Sequence, residues 1–97
     1  MEMKEFLESI QDNSLPPAHL KLELQALWWL KKGCWDRAHD LAQRISGTGV
    51  DWVHAHLHRV EGDLENADYW YHRVGKNVSE DSFHDEWLEI TADLLSK

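Results

Sequence analysis

Apolar residues recur every three or four positions along most of this chain, which is the spacing that places side chains on one face of an α-helix. Short segments containing glycine, asparagine or proline interrupt the spacing. No segment has the apolar–polar alternation that is typical of a β-strand. The pattern therefore predicts an all-α protein of about six short helices arranged in antiparallel hairpins. Because 97 residues is the length of one domain, we expect a single helical-repeat-like domain over residues 1–97.

The expected helices form a core at about residues 20–75, flanked by end helices at about residues 2–12 and 82–96. Two adjacent prolines, Pro16 and Pro17, suit the first turn of the second helix. Asp51 is expected to cap the fourth helix, since an aspartate side chain can accept a hydrogen bond from the backbone there.

The core contains an internal repeat, which becomes visible when the sequence is shifted by 29 positions. The matched pairs are Ala26 with Ala55, Gly33 with Gly62 and Ala38 with Ala67. A small alanine lets two helices approach each other closely, and a glycine allows the chain to turn between them. A single helical hairpin cannot bury its apolar face alone, so two hairpins are expected to stack.

These repeated segments resemble a known family. The segment from Gly62 to Val74 resembles the second half of a tetratricopeptide repeat, and residues 33–45 resemble a weaker copy. The likeness covers roughly residues 20–75, with a period of 29 positions where the family has about 34. It implies a scaffold whose first helices line a concave surface that binds a protein or peptide. Residues 52–73 also resemble a block in small uncharacterised bacterial and fungal proteins, which implies no function.

The tetratricopeptide resemblance places residues of the second and fourth helices on this concave surface. The implied contact residues are Trp52, His56, Arg59, Glu23, Leu27 and Lys31. An exposed tryptophan beside an arginine is typical of the residues that contribute most binding energy at interfaces. The leading hypothesis is therefore a non-enzymatic protein–protein interaction module without a cofactor. The alternative for Trp52 is a role in the core.

Four of the seven histidines lie between His54 and His72, and their spacing suggests a second function. His54, His58 and Glu61 follow an i, i+4, i+7 spacing, which places two imidazoles and a carboxylate on one helical face. His72 on the following helix could add a fourth ligand. Such a cluster, between the fourth and fifth helices, suits a divalent transition metal or another small ligand. The competing interpretation is that these histidines pack in the core, hydrogen-bonded to Tyr71 and the backbone.

Charge and cysteine content narrow the choice of partner and compartment. The net charge of −8 comes from the two ends of the chain, with −3 in residues 1–12 and −5 in residues 79–97. Acidic ends repel phosphate groups, so we expect neither nucleic acid nor membrane binding, and a partner protein would more readily be basic. The single cysteine, Cys34, and an acidic N-terminal segment predict a cytoplasmic protein. Instead of binding a different protein, the chain could form a homodimer, which is a further alternative.

Overall fold

The computed structural model describes all residues 1–97 and contains six α-helices and no strand. The prediction of an all-α protein with six short helices is confirmed. In chain order the helices are α1 (Met3–Asp12), α2 (Leu22–Lys31), α3 (Trp35–Gln43), α4 (Thr48–Glu61), α5 (Leu64–Arg73) and α6 (Phe83–Leu95). None of the six combines the length and the apolar character that a membrane-spanning helix requires.

The middle of the chain consists of two helical hairpins, because α2 packs along α3 and α4 packs along α5. Gly33 and Gly62 make the two turns, with φ angles of +91° and +90° that residues with side chains rarely adopt. The four alanines expected where helices approach each other are all fully buried: Ala26, Ala38, Ala55 and Ala67. The relationship of these hairpins to tetratricopeptide repeats stays a prediction.

The C-terminal helix α6 lies across the first helices of both hairpins, α2 and α4, and α1 packs on α6. Trp87 of α6 is central to this arrangement, because its Nε1 donates to the carbonyl oxygen of Leu27 in α2 at 2.9 Å. Its ring also packs against Phe6 of α1, with centroids 5.9 Å apart. The surface that was expected to be concave and open is therefore covered by α6.

Two predicted helix starts are wrong. The two prolines precede α2 and do not begin it, because the chain first forms a turn that brings Leu20 into the core before α2 starts at Leu22. The fourth helix starts at Thr48, so Asp51 lies within its first turn and does not cap it. The Asp51 carboxylate instead accepts a hydrogen bond from Nε of Arg73 at 3.1 Å, which links α4 to α5.

Candidate metal centre

Three imidazole rings converge where α3, α4 and α5 meet. They belong to His39 of α3 and to His54 and His58 of α4, and one ring nitrogen of each lies within 4.8 Å of the other two. The His54 and His58 rings are nearly parallel, with centroids 5.8 Å apart, as expected for neighbours four positions apart on a helix. His39 faces both rings from α3, at centroid distances of 5.2 Å and angles of 69° and 73°. The three rings form the sides of a cup.

A different neighbour supports each imidazole from outside the cup. The supporting contacts are Trp35 stacked on His39 (centroids 4.8 Å apart), Trp70 stacked on His54 (4.2 Å), and Glu61 with its Oε1 3.0 Å from Nδ1 of His58. Trp35 is held in turn by a hydrogen bond from its Nε1 to the carbonyl oxygen of Leu57, at 2.8 Å. When Nδ1 of His58 donates to Glu61, Nε2 is the nitrogen left to bind a metal, an arrangement common around zinc.

The environment of the cup favours neutral imidazoles. The pKa of His54 is lowered to about 4, first by burial and then by the nearby His39 and His58 rings, against the opposing effect of Asp51. The pKa of His39 is lowered as well, first by burial and then by His58. Both rings are therefore neutral at pH 7, the form that binds metal ions. Neither ring forms a hydrogen bond within the protein, which leaves their nitrogens available to a ligand.

The cup opens into a surface pocket of about 420 Å³, whose other walls are Gln43, Asn66 and Trp70. Three histidines with a fourth position left open are one of the donor sets that catalytic zinc sites use. Zinc–nitrogen bonds of about 2.0–2.1 Å would hold the three nitrogens roughly 3.3 Å apart, which is within the 4.8 Å limit on their separations here. The arrangement can therefore hold a divalent transition metal while leaving room for a further ligand.

The structure brings together two of the four metal ligands predicted from the sequence. His54 and His58 are in the cup, whereas Glu61 supports His58 from outside it. His72 is exposed and lines a separate pocket with Gly75, so the structure does not bring it to the cup. His39 was missed because helical spacing detects only ligands on one helix, and His39 reaches the other two across the contact between α3 and α4.

A second group of potential ligands is formed by His58, Glu61 and Asp63, whose ligand atoms also lie within 4.8 Å of one another. Its two carboxylates are exposed, and both already have a structural partner. Glu61 contacts His58, and Oδ1 of Asp63 accepts a hydrogen bond from the backbone N–H of Asn66 at the start of α5. The three-histidine cup is therefore the better metal site.

The residues predicted to contact a partner surround a buried carboxylate instead. Glu86 of α6 is 1% exposed and accepts hydrogen bonds from four side chains. The donors are His56 Nδ1 (2.6 Å), Tyr71 Oη (2.5 Å), Arg59 Nη1 (3.0 Å) and Trp52 Nε1 (3.3 Å). Burial alone would raise the pKa of Glu86, but the hydrogen bonds from His56 and Tyr71 outweigh it and lower that pKa. Tyr71 thus bonds to Glu86, and the predicted bond from Tyr71 to His54 or His58 is absent.

The expectation that Trp52 is exposed is wrong, because α6 covers it. Trp52, His56 and Leu27 are 8%, 1% and 0% exposed, and Arg59 is drawn to Glu86 and the carbonyl oxygen of Asp81. The other two residues of the predicted set, Glu23 and Lys31, are half-buried. A partner-binding role for the six stays a prediction, and it would require α6 to leave this surface.

Comparisons with protein-family models, with curated proteins and with solved structures found no match for this chain. A function is therefore best sought in the chemistry of the three-histidine cup.

Proposed function

We propose that this protein binds one divalent transition metal ion, with zinc as the reference ion, through His39, His54 and His58. The observation that carries the proposal is the convergence of three imidazole nitrogens within 4.8 Å. Imidazole nitrogen is a preferred ligand of zinc, copper, iron and nickel. The ring nitrogens of His39 and His54 form no hydrogen bond within the protein and are accessible from the pocket, so a metal ion would bind them without displacing an internal partner.

The position of the cup in the fold gives metal binding a structural consequence. His39 belongs to the first hairpin, and His54 and His58 belong to the second, so a bound ion would connect the two hairpins. A ligand that binds only the folded state stabilises it by RT ln(1 + [L]/Kd), which is about 2.7 kcal/mol at a hundredfold excess over Kd. Metal binding is therefore expected to raise the melting temperature of the protein.

The test is a titration of untagged, full-length protein with Zn²⁺ by isothermal calorimetry, after removal of bound metal with a chelator. We expect about one ion per chain. His39→Ala should weaken binding by more than the roughly 10–100-fold that loss of an outer-shell partner causes. His72→Ala is the matched control, because it removes an exposed histidine outside the cup and should leave the affinity unchanged.

The paired variants separate the three-histidine site from the ligand set predicted from the sequence. His39 is only half-buried, so its replacement by alanine should preserve the fold, which circular dichroism can verify. Failure of the wild-type protein to bind Zn²⁺ would refute the proposal. An equal loss of affinity in His39→Ala and His72→Ala would refute it too, since scattered surface histidines would then explain the binding.

A further inference from the structure

We infer that the metal held by His39, His54 and His58 keeps one coordination position open, and that this position takes a small carboxylate anion. The inference rests on the proposed metal binding and adds the class of ligand that the site accepts. Its basis is the composition of the pocket into which the cup opens.

The charge of the bound ion favours an anionic ligand. The three histidine ligands are neutral when they bind a metal, so they do not offset the double positive charge of the ion. The pocket walls contain no aspartate or glutamate, since the remaining lining residues are Gln43, Asn66 and Trp70. Glu61 contacts Nδ1 of His58 and compensates part of the ion's charge, but it does not line the pocket. A bound cation is the largest local charge in such a site and attracts an anion from solvent.

Two side-chain amides in the pocket can donate hydrogen bonds to an anion. Gln43 extends from α3 and Asn66 from α5, so their side-chain amides line the pocket on two sides of the cup. Neither side chain forms a hydrogen bond within the protein. Asn66 donates only through its backbone N–H, to Asp63. Each amide nitrogen can donate to an anionic oxygen. A carboxylate with one oxygen on the metal would have its second oxygen within the pocket that these amides line.

The pocket is large enough for a small organic anion. The pocket volume of about 420 Å³ is well above the roughly 150 Å³ that accommodates benzene in an engineered protein cavity. A metal-bound carboxylate therefore has room for its carbon portion, and the Trp70 ring provides an apolar wall for it. No fourth histidine, cysteine or carboxylate offers a ligand atom within 4.8 Å of the ligand nitrogens of all three histidines.

The experiment uses full-length protein loaded with Co²⁺, whose visible absorption spectrum reports changes in the metal's ligands. Acetate is the probe, and acetamide is a neutral control of nearly the same size. We expect acetate to change the Co²⁺ spectrum in a saturable manner and acetamide to have no effect at the same concentrations. Gln43→Ala should weaken acetate binding about three- to tenfold, the loss expected for one hydrogen bond. Gln11→Ala, on the exposed face of α1, should not.

The outcomes distinguish this inference from the proposed function. Absence of a protein-bound Co²⁺ spectrum would refute metal binding and the inference together. A clear Co²⁺ spectrum that acetate leaves unchanged would overturn the inference alone, because the fourth position would then be closed. An equal response to acetamide would also overturn it, since charge would not be selecting the ligand.

Discussion

Nδ1 of His56 and Oε1 of Glu86 lie 2.6 Å apart, and both side chains are 1% exposed. The contact joins α4 to α6 across thirty positions of the sequence. Arg59 donates to the same carboxylate oxygen at 3.0 Å and supplies the balancing positive charge. With the hydrogen bond from Trp52 Nε1, this one buried anion holds three side chains of α4, and it anchors the helix that covers both hairpins.

Replacing this anion should destabilise the whole domain. We expect Glu86→Gln to lower the free energy of unfolding by about 3 kcal/mol, because it leaves the largely buried Arg59 without a charged partner. Urea denaturation followed by circular dichroism measures the change. Glu89→Gln, an exposed position on the same helix, should change stability by less than about 0.5 kcal/mol. Equal effects of the two substitutions would contradict this role for Glu86.

The contribution of Glu86 should also depend on pH. Its pKa in the folded protein is below the ordinary value of 4.5, so the folded state binds fewer protons than the unfolded state in that range. The stabilisation is complete above the unfolded pKa and is lost as the pH falls through the folded pKa. The stability difference between wild type and Glu86→Gln should therefore shrink as the pH falls below about pH 5.

Urea denaturation of both proteins at several pH values down to about pH 3 measures this difference, and titrations common to both proteins cancel in it. A buried carboxylate with too few hydrogen-bond donors would instead have a raised pKa. In that case the stability difference between wild type and Glu86→Gln would grow on acidification, which would show that burial outweighs the hydrogen bonds from His56 and Tyr71.

Glu61 should affect metal affinity without binding the metal itself. Its contact with Nδ1 of His58 orients the ring and increases the basicity of the other nitrogen. We expect Glu61→Gln to weaken Zn²⁺ binding roughly tenfold, at the lower end of the range for outer-shell partners. Calorimetric titration provides the measurement. Glu65→Gln, an exposed position in α5 with the same change of charge, should bind Zn²⁺ as the wild type does.

Features of the fold that depend on near neighbours were predictable. Apolar spacing identified the six helices, and Gly33 and Gly62 identified the turns of the two hairpins. The pairing of His54 with His58 followed in the same way, because side chains four positions apart share a helical face. The starts of helices were harder to predict. Asp51 was expected to cap α4, but its carboxylate bonds to Arg73 of α5 and not to the backbone of its own helix.

Features that join distant segments could not be read from these patterns. His39 belongs to the three-histidine cup only because α3 packs against α4, and no sequence spacing connects it to His54 and His58. Trp52 and Arg59 have the composition of a binding surface, but Glu86 determines that they face the interior. A tryptophan beside an arginine suits an interface with another protein equally well as an interface with a helix of the same chain, so composition alone does not distinguish the two.

The all-α architecture, the turns of the two hairpins and the pairing of His54 with His58 were predictable, because each of these follows from residues a few positions apart. The position of α6 over the first helices of both hairpins and the arrival of His39 as the third ring of the cup became visible only in the folded protein. Both outcomes depend on how distant helices pack, which is determined by the burial of the whole apolar surface at once.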